Sequence, residues 1–198
     1  MSVIILVHGG VSSPESQQDG VDKAANAALH VLKDEHQNAL LAAAAAVAVM
    51  EDDGRFDAGT GSYYNLDGEI EMDAAVMDEK EECGAVAAIK NVKNPIKVAV
   101  ELMETPHILL AGDGAEIFAR AKGFEYYEPG TDFTRKRLED VRSRLKTGNV
   151  HEWAKPWQNF VRPGTVGAVV SDGRGGFGAA NSTGGTSYQL PGRVGDSA

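Results

Sequence analysis

Val3–Val7 is an unbroken apolar run that ends in His8-Gly9-Gly10. A run without polar alternation predicts a strand buried on both faces, central in its sheet, delivering a glycine turn to one edge. From Asp19 to Glu35 the apolar positions Val21, Ala24, Ala25, Ala28, Leu29 and Leu32 recur at helical spacing. A second helix, from Asn38 to Met50, is so rich in alanine that it must be largely enclosed, and both helices should cover one sheet face. The loop EDDGRFDAGTGS interrupts the pattern. Beyond it, Tyr63–Asn65 and Glu69–Met77 flank Asp67-Gly68, which predicts a two-strand hairpin. Ile70, Met72, Ala74 and Val76 alternate with Glu69, Glu71, Asp73 and Ala75, so one hairpin face turns inward.

Gly84–Ile89 reads as a further strand, and Asn94-Pro95 supplies an N-cap and a first-turn proline for a helix through Met103. Ile108–Ala111 is a short apolar strand, and Asp113 with Glu116 forms a cap pattern for a helix that stops at Gly123. Strands and helices alternate, which gives an α/β chain. Between Phe124 and Pro163 aromatic and charged residues mix, and the segment reads as a polar linker with one helix, Thr134–Lys146, that turns Leu138, Val141 and Leu145 inward. Apolar alternation resumes with Thr165–Val170, the turn Ser171–Gly176 and Phe177–Ala180, a second hairpin. No internal repeat accompanies these elements.

With 198 residues and 42% apolar content the chain can bury one substantial core. The net charge of −10 argues against affinity for nucleic acid or for anionic membrane, since both attract basic surfaces. Cys83 is the single cysteine, so there is neither an internal disulfide nor a cysteine metal cluster, and a reducing compartment is expected. The opening apolar run is too short to span a membrane and follows no basic leader, which points to the cytoplasm.

Candidate chemistry gathers late in the chain. Thr165 stands between Gly164 and an apolar strand, directly after the polar linker. A linker joining two parts explains that placement, and so does autoproteolysis. In the second reading the Thr165 hydroxyl attacks the Gly164 carbonyl, the N-to-O shift gives an ester, and water frees a threonine whose α-amine becomes the base for its own hydroxyl. A free α-amine titrates near pH ~8 and keeps a useful neutral fraction. Ser182-Thr183-Gly184-Gly185 is common turn chemistry, yet the second hairpin returns Thr183 toward Thr165. Arg193 and Asp196, three residues apart between glycines, are either a solvated surface pair or a clamp for a zwitterion, the guanidinium forking a carboxylate and the carboxylate accepting an ammonium.

The ordered set formed by HGG at 8–10, MEDDGRFDAGTGS, NLDGEIEMDAAVMD, GAVAAIKNVKNPIKVA, TPHILLAGDGAEIFA, GTVGAVVSDGRGG, NSTGG and GRVGDS resembles the plant-type L-asparaginase/isoaspartyl aminopeptidase family of N-terminal-nucleophile hydrolases. The resemblance spans nearly the whole chain apart from Phe124–Pro163. It implies a four-layer αββα sandwich in one domain over 1–198, with 1–164 resembling an α subunit and 165–198 the start of a β subunit. It implies cleavage between Gly164 and Thr165, with Thr165 as nucleophile and base and Thr183 beside it. Arg193, Asp196 and Gly184 would then bind substrate, either L-asparagine or a β-aspartyl dipeptide, in a homodimer of processed protomers. No cofactor is implied for the chemistry. A structural sodium ion would rest on the carbonyls of Met50, Glu51, Asp53, Phe56, Ala58 and Thr60, hard oxygen ligands suited to such a cation. The glycine loop at His8-Gly9-Gly10 is associated with strain near the scissile bond.

Two departures from the family pattern follow. Asp57 stands where relatives often carry asparagine, so a carboxylate replaces an amide near the nucleophile. Relatives also continue past the equivalent of Ala198 through further strands, helices and a Thr-Gly pair that forms an oxyanion hole. The expectation is a sandwich incomplete at its C-terminal end, exposing edge strands and core surface and lacking donors worth on the order of 3 kcal/mol each.

Rival readings are weaker. VHGG and GDSA resemble the oxyanion loop and nucleophile elbow of α/β-hydrolases, with Ser197 as nucleophile, but that elbow requires a following helix, acid and histidine. The glycines at Gly59, Gly61 and Gly173–Gly178 lead into strands instead of opening a phosphate-cradling helix. A catalytically silent scaffold of the same fold, with Thr165 never freed, is the remaining alternative.

Overall fold

The computed structural model describes residues 2–11, 13–34, 38–148 and 164–198. Six strands form one sheet: β1 (Ile4–His8), β2 (Met72–Asp78), β3 (Cys83–Ile89), β4 (Leu109–Ala111), β5 (Val166–Ser171) and β6 (Phe177–Thr183). Their spatial order is β1-β5-β6-β2-β3-β4. Only the β3–β4 pair is parallel. The hairpin β5–β6 thus inserts between β1 and β2, and Thr165 and Thr183 arrive at one end of the sheet as the spacing of the two strands requires.

Helix α1 (Gln18–Val31) packs on α2 (Ala39–Asp52), whose alanines are almost entirely buried against β5 and β6. Small side chains allow that closeness, because an alanine surface lets helix and sheet backbones approach. Asn38 caps α2, its side chain accepting from the Leu41 amide at 2.9 Å. Helix α3 (Pro95–Leu102) covers β2 and β3 on the same side and begins with proline as expected. The core joins Val47, Met50, Phe56, Met72, Val76, Val86, Ile89, Ile96 and Val98 with Val166, Ala168 and Val170. The inward set Ile70, Met72, Ala74 and Val76 is buried, as the alternation predicts.

Several sequence expectations are corrected. Strand β1 lies at the sheet edge, not its centre, because β5 is its only neighbour. Ile5 and Val7 pack on the core, while Ile4 and Leu6 point to the open face. Tyr63–Asn65 forms no strand. Asn65 instead closes a loop, its side-chain oxygen accepting from the amides of Asp67 (3.0 Å) and Glu69 (2.9 Å). That side-chain competition with a backbone ladder replaces the expected first hairpin with a single strand, β2. Helix α4 (Gly112–Ala121) starts at Ala111 without a side-chain cap, and Glu116 accepts instead from Asn91 and pairs with Arg120. Helix α5 (Asp132–Thr147) is better bounded than a linker helix, with a capping box between Thr131 and Thr134 and Gly148 closing its end in the left-handed region. Its Val141 is buried, with Leu138 and Leu145 half-buried. Helix α1 ends at Val31, short of the expected Glu35, because the chain turns at Leu32–Asp34. Glu35 itself and the C-terminal part of the linker, 149–163, lie outside the described residues. Strand β6 continues past Ala180 to Thr183.

One face of the sheet is covered by helices. On the other, Leu6, Val169, Phe177 and Met77 are exposed, with Leu6 65% accessible. Of the layers expected for a sandwich, the described residues provide this one sheet and its helices.

Candidate active site

The end of the sheet where β5 begins and β6 finishes brings the sequence-derived candidates together. The antiparallel register pairs Val166 with Ser182 and Asp73 with Thr183. Gly164 and Thr165 therefore lie beside the end of β6, and Asp73 shares the open face with Thr183. The loop after α2 supplies Asp57, and the turn after β1 supplies Gly10.

Gly164 is held from both sides of its peptide unit. Its N–H donates to Asp57 Oδ2 at 3.2 Å, and its carbonyl oxygen accepts from Thr183 Oγ1 at 2.7 Å. Thr183 Oγ1 in turn accepts from the Gly185 amide at 3.2 Å, which orients the hydroxyl toward Gly164. A side chain at 164 would run into Asp57, its Cβ falling 2.7 Å from that of Asp57, so the position requires glycine. Gly10 has φ +108, a region that favours glycine, and a Cβ there would come within 3.3 Å of the Thr165 nitrogen. The glycine turn after β1 thus packs directly on the bond between Gly164 and Thr165.

The Thr165 hydroxyl lies 3.3 Å from Ser197 Oγ, and Ser197 is fully buried. The sequence pattern GDSA suggests Ser197 only as the nucleophile of an elbow. The structure gives it a different place, as a hydroxyl partner of Thr165.

Asp57 has its carboxyl removed from water, which pushes its pKa well above the ordinary carboxylate range, against the pull of the Gly164 amide and of the Arg137 and Arg193 charges. Its Oδ1 is buried without a hydrogen-bond partner. The Asp57 carbonyl accepts from the Gly184 amide at 2.9 Å, and the Gly184 carbonyl accepts from Tyr63 at 3.1 Å. Gly184 is therefore stitched to the Asp57 loop through both of its main-chain groups.

Arg193 is half-buried, and its Nη1 has no hydrogen-bond partner. A buried guanidinium N–H left unpaired costs free energy unless an anion reaches it. Asp196 is exposed, and no ion pair joins it to Arg193 among the described residues. Arg193 also lies within electrostatic reach of both Asp57 and Asp73. Two carboxylates missed as site residues flank it on β2 and its approach: Glu71 Oε2 accepts from the Gly192 amide at 2.8 Å, and Asp73 Oδ2 from the Gly195 amide at 2.9 Å. Alternation had assigned both to an outward polar face, and nothing local marks them as partners of a loop more than a hundred residues away.

In the loop after α2, side chains at Gly59 and Gly61 would collide with the carbonyls of Glu51 and Phe56. The glycines thus let the chain pass close to these two main-chain oxygens. The Asp53, Ala58 and Thr60 carbonyls also accept amides from Phe56, Gly61 and Gly130, and each keeps a second lone pair. Among the described residues no group of three His, Cys, Asp or Glu side chains is placed to hold a metal. Among the described residues no helix is long and apolar enough to cross a membrane.

Comparison with known proteins gives the family. The asparaginase family model matches residues 1–198. The chain is 43% identical over 207 residues to a plant-type L-asparaginase of Pyrococcus abyssi, covering 98% of this chain and 67% of the relative. It is 41% identical to an isoaspartyl peptidase/L-asparaginase of Xenopus laevis, covering 100% of this chain and 64% of that protein. The corresponding protein of Rattus norvegicus is 39% identical, with 100% and 60% covered. The chain thus spans about two thirds or less of the length of these relatives. On the match across all of its residues, the chain belongs to the asparaginase family that includes plant-type L-asparaginases and isoaspartyl peptidases.

Proposed function

We propose that this chain is an autoprocessing threonine hydrolase that cleaves the side-chain amide of L-asparagine or of β-aspartyl dipeptides. The observation that carries the reading is the grip on Gly164: carbonyl oxygen on the Thr183 hydroxyl, N–H on Asp57, with the Thr165 hydroxyl on the next residue.

In the first step Thr165 Oγ1 attacks the Gly164 carbonyl carbon. Negative charge develops on the carbonyl oxygen, where the Thr183 O–H already points, so its stabilisation requires no reorganisation. The Thr165 nitrogen takes up a proton and leaves as an amine, giving an ester that water opens. The new α-amine then accepts the proton of its own hydroxyl when Thr165 attacks the substrate amide. Ammonia or an amino acid departs, and water releases aspartate from the acyl-threonine. Arg193 would meet the substrate α-carboxylate, and Asp196 would accept the α-ammonium; a half-buried guanidinium with an unpaired Nη1 supports that reading. Gly184 would line that site. A sodium ion on the carbonyls of Met50, Glu51, Asp53, Phe56, Ala58 and Thr60 would stiffen the loop that presents Asp57.

The strong negative charge supports small-molecule substrates over nucleic acid or membranes as partners. The single cysteine supports a cytoplasmic setting, and the family resemblance supports a homodimer of processed protomers. Ammonia release from L-asparagine tests the reading. The purified protein should hydrolyse L-asparagine or a β-aspartyl dipeptide, and Thr165→Ala should be inactive. Retained hydrolysis in that variant would place the nucleophile elsewhere.

A further inference from the structure

Two acidic side chains at the start of β2, at one end of the sheet, hold the loop that carries Arg193, although neither belongs to the substrate clamp itself. Glu71 and Asp73 are two positions apart along an extended chain, so their side chains leave the same face. Their acceptors meet amides three positions apart, at Gly192 (2.8 Å) and Gly195 (2.9 Å). The two amides bracket Arg193. The segment after β6 contains no further helix or strand. Its turn is closed by the Arg193 amide donating to the Leu190 carbonyl at 3.1 Å, with Gly192 at φ +76. Among the described residues, Glu71 and Asp73 are what fastens the main chain of 192–195 to the sheet.

Both carboxylates are themselves held. Asp73 Oδ1 accepts from Ala88 at 2.8 Å, a residue with φ +48 beside an irregularity in the β2–β3 register. Glu71 Oε2 also accepts from Asn65 Nδ2 at 3.0 Å. Asp73 is 2% exposed, and its desolvation raises its pKa despite two amide donors and the Arg193 charge. An apolar residue there would leave the Ala88 and Gly195 amides without an acceptor. The carboxylate offers instead two directed acceptors and a negative charge that keeps the guanidinium over this end of the sheet.

We propose that Glu71 and Asp73 are positioning residues for substrate recognition, mooring the 192–195 loop so that the Arg193 guanidinium is held where it meets the α-carboxylate of the substrate. This rests on the assignment of Arg193 as the α-carboxylate ligand. The mooring matters only to ligands that carry this group. A ligand with its α-carboxylate converted to an amide does not call on the fork of Arg193, and it is indifferent to how that fork is aimed.

The test is calorimetric binding of L-aspartate, the reaction product, against L-aspartic acid α-amide, to the full protein and to Asp73→Ala, Asp73→Asn, Glu71→Ala, Glu71→Gln and Arg193→Ala. The alanine variants should weaken L-aspartate by about tenfold or more, the scale of a lost charge-assisted hydrogen bond. The α-amide should change less than about threefold, within the range of a surface substitution. Combining Asp73→Ala with Arg193→Ala should add little, because both act on one interaction. Glu71→Gln and Asp73→Asn keep an acceptor oxygen and should recover part of the loss, and they carry the test if an alanine variant does not fold. Amide hydrogen exchange at Gly192 and Gly195 should accelerate in Glu71→Ala and Asp73→Ala. Unchanged L-aspartate affinity in folded variants, or equal weakening of both ligands, overturns the proposal. If instead Arg193→Ala leaves L-aspartate binding intact, the clamp assignment itself fails, and unchanged amide exchange would then remove the mooring as well.

Discussion

Gly164 answers two demands that no other residue meets together: it fits against Asp57, and its carbonyl lies on the Thr183 hydroxyl. A donor aimed at the atom where charge develops is worth far more to a reaction than to stability. Thr183→Val should therefore slow scission by about 10²–10³-fold, the cost of removing one oxyanion donor, with little change in folding. Thr183→Ser should restore most of the rate. Cleavage at a normal rate in Thr183→Val would show that the hydrogen bond is incidental. That Gly164, Thr165 and Thr183 come together was legible in the sequence, because Gly-Thr before a strand and Ser-Thr-Gly-Gly after it are local patterns on two strands of one hairpin. Ser197, Glu71 and Asp73 were not, since each acts through a contact created only by the fold.

Among the elements, α2 shows how much a local pattern determines and where it stops. Its alanine run foretold an enclosed helix, and the structure encloses it. The same run carries Glu51, a fully buried carboxyl whose Oε1 accepts from the Ile96 amide at the start of α3 at 3.0 Å. Burial pushes its pKa up to about 8 from an ordinary 4.5. Between those values the native chain holds a proton that the unfolded chain has released, so stability falls as pH rises through this window. Below about pH 4.5 both states are protonated and the contribution is fully present. Chemical denaturation in sodium-free buffer should show this decline in the native protein and a flatter profile in Glu51→Gln. Equal slopes in the two proteins would mean that Glu51 is charged in the fold. Strand β1 shows the opposite limit. Five apolar residues read as central, yet the neighbours of a strand depend on the whole topology, and here only β5 pairs with it. The loss of the first hairpin has a local cause, the Asn65 side chain, which could have been weighed against the Asp-Gly signal.

At the scale of the molecule, the insertion of β5–β6 between β1 and β2 explains why residues from the two ends of the sequence build one site. Sequence order could not reveal it, because adjacent strands in space are far apart along the chain. The same sheet leaves Leu6, Val169, Phe177 and Met77 on an uncovered face. Contiguous apolar surface of this kind binds hydrophobic dyes. The 198-residue chain should enhance anilinonaphthalene sulfonate fluorescence, and Leu6→Asp with Val169→Asp should reduce it. No enhancement from the native chain would show that the face is covered in solution. The central claim concerns the bond at which all three scales meet. N-terminal sequencing and intact mass of the purified protein over time measure it directly: the account predicts a growing species that begins at Thr165 and none in Thr165→Ala, whereas an uncleaved chain that still hydrolyses L-asparagine would contradict it.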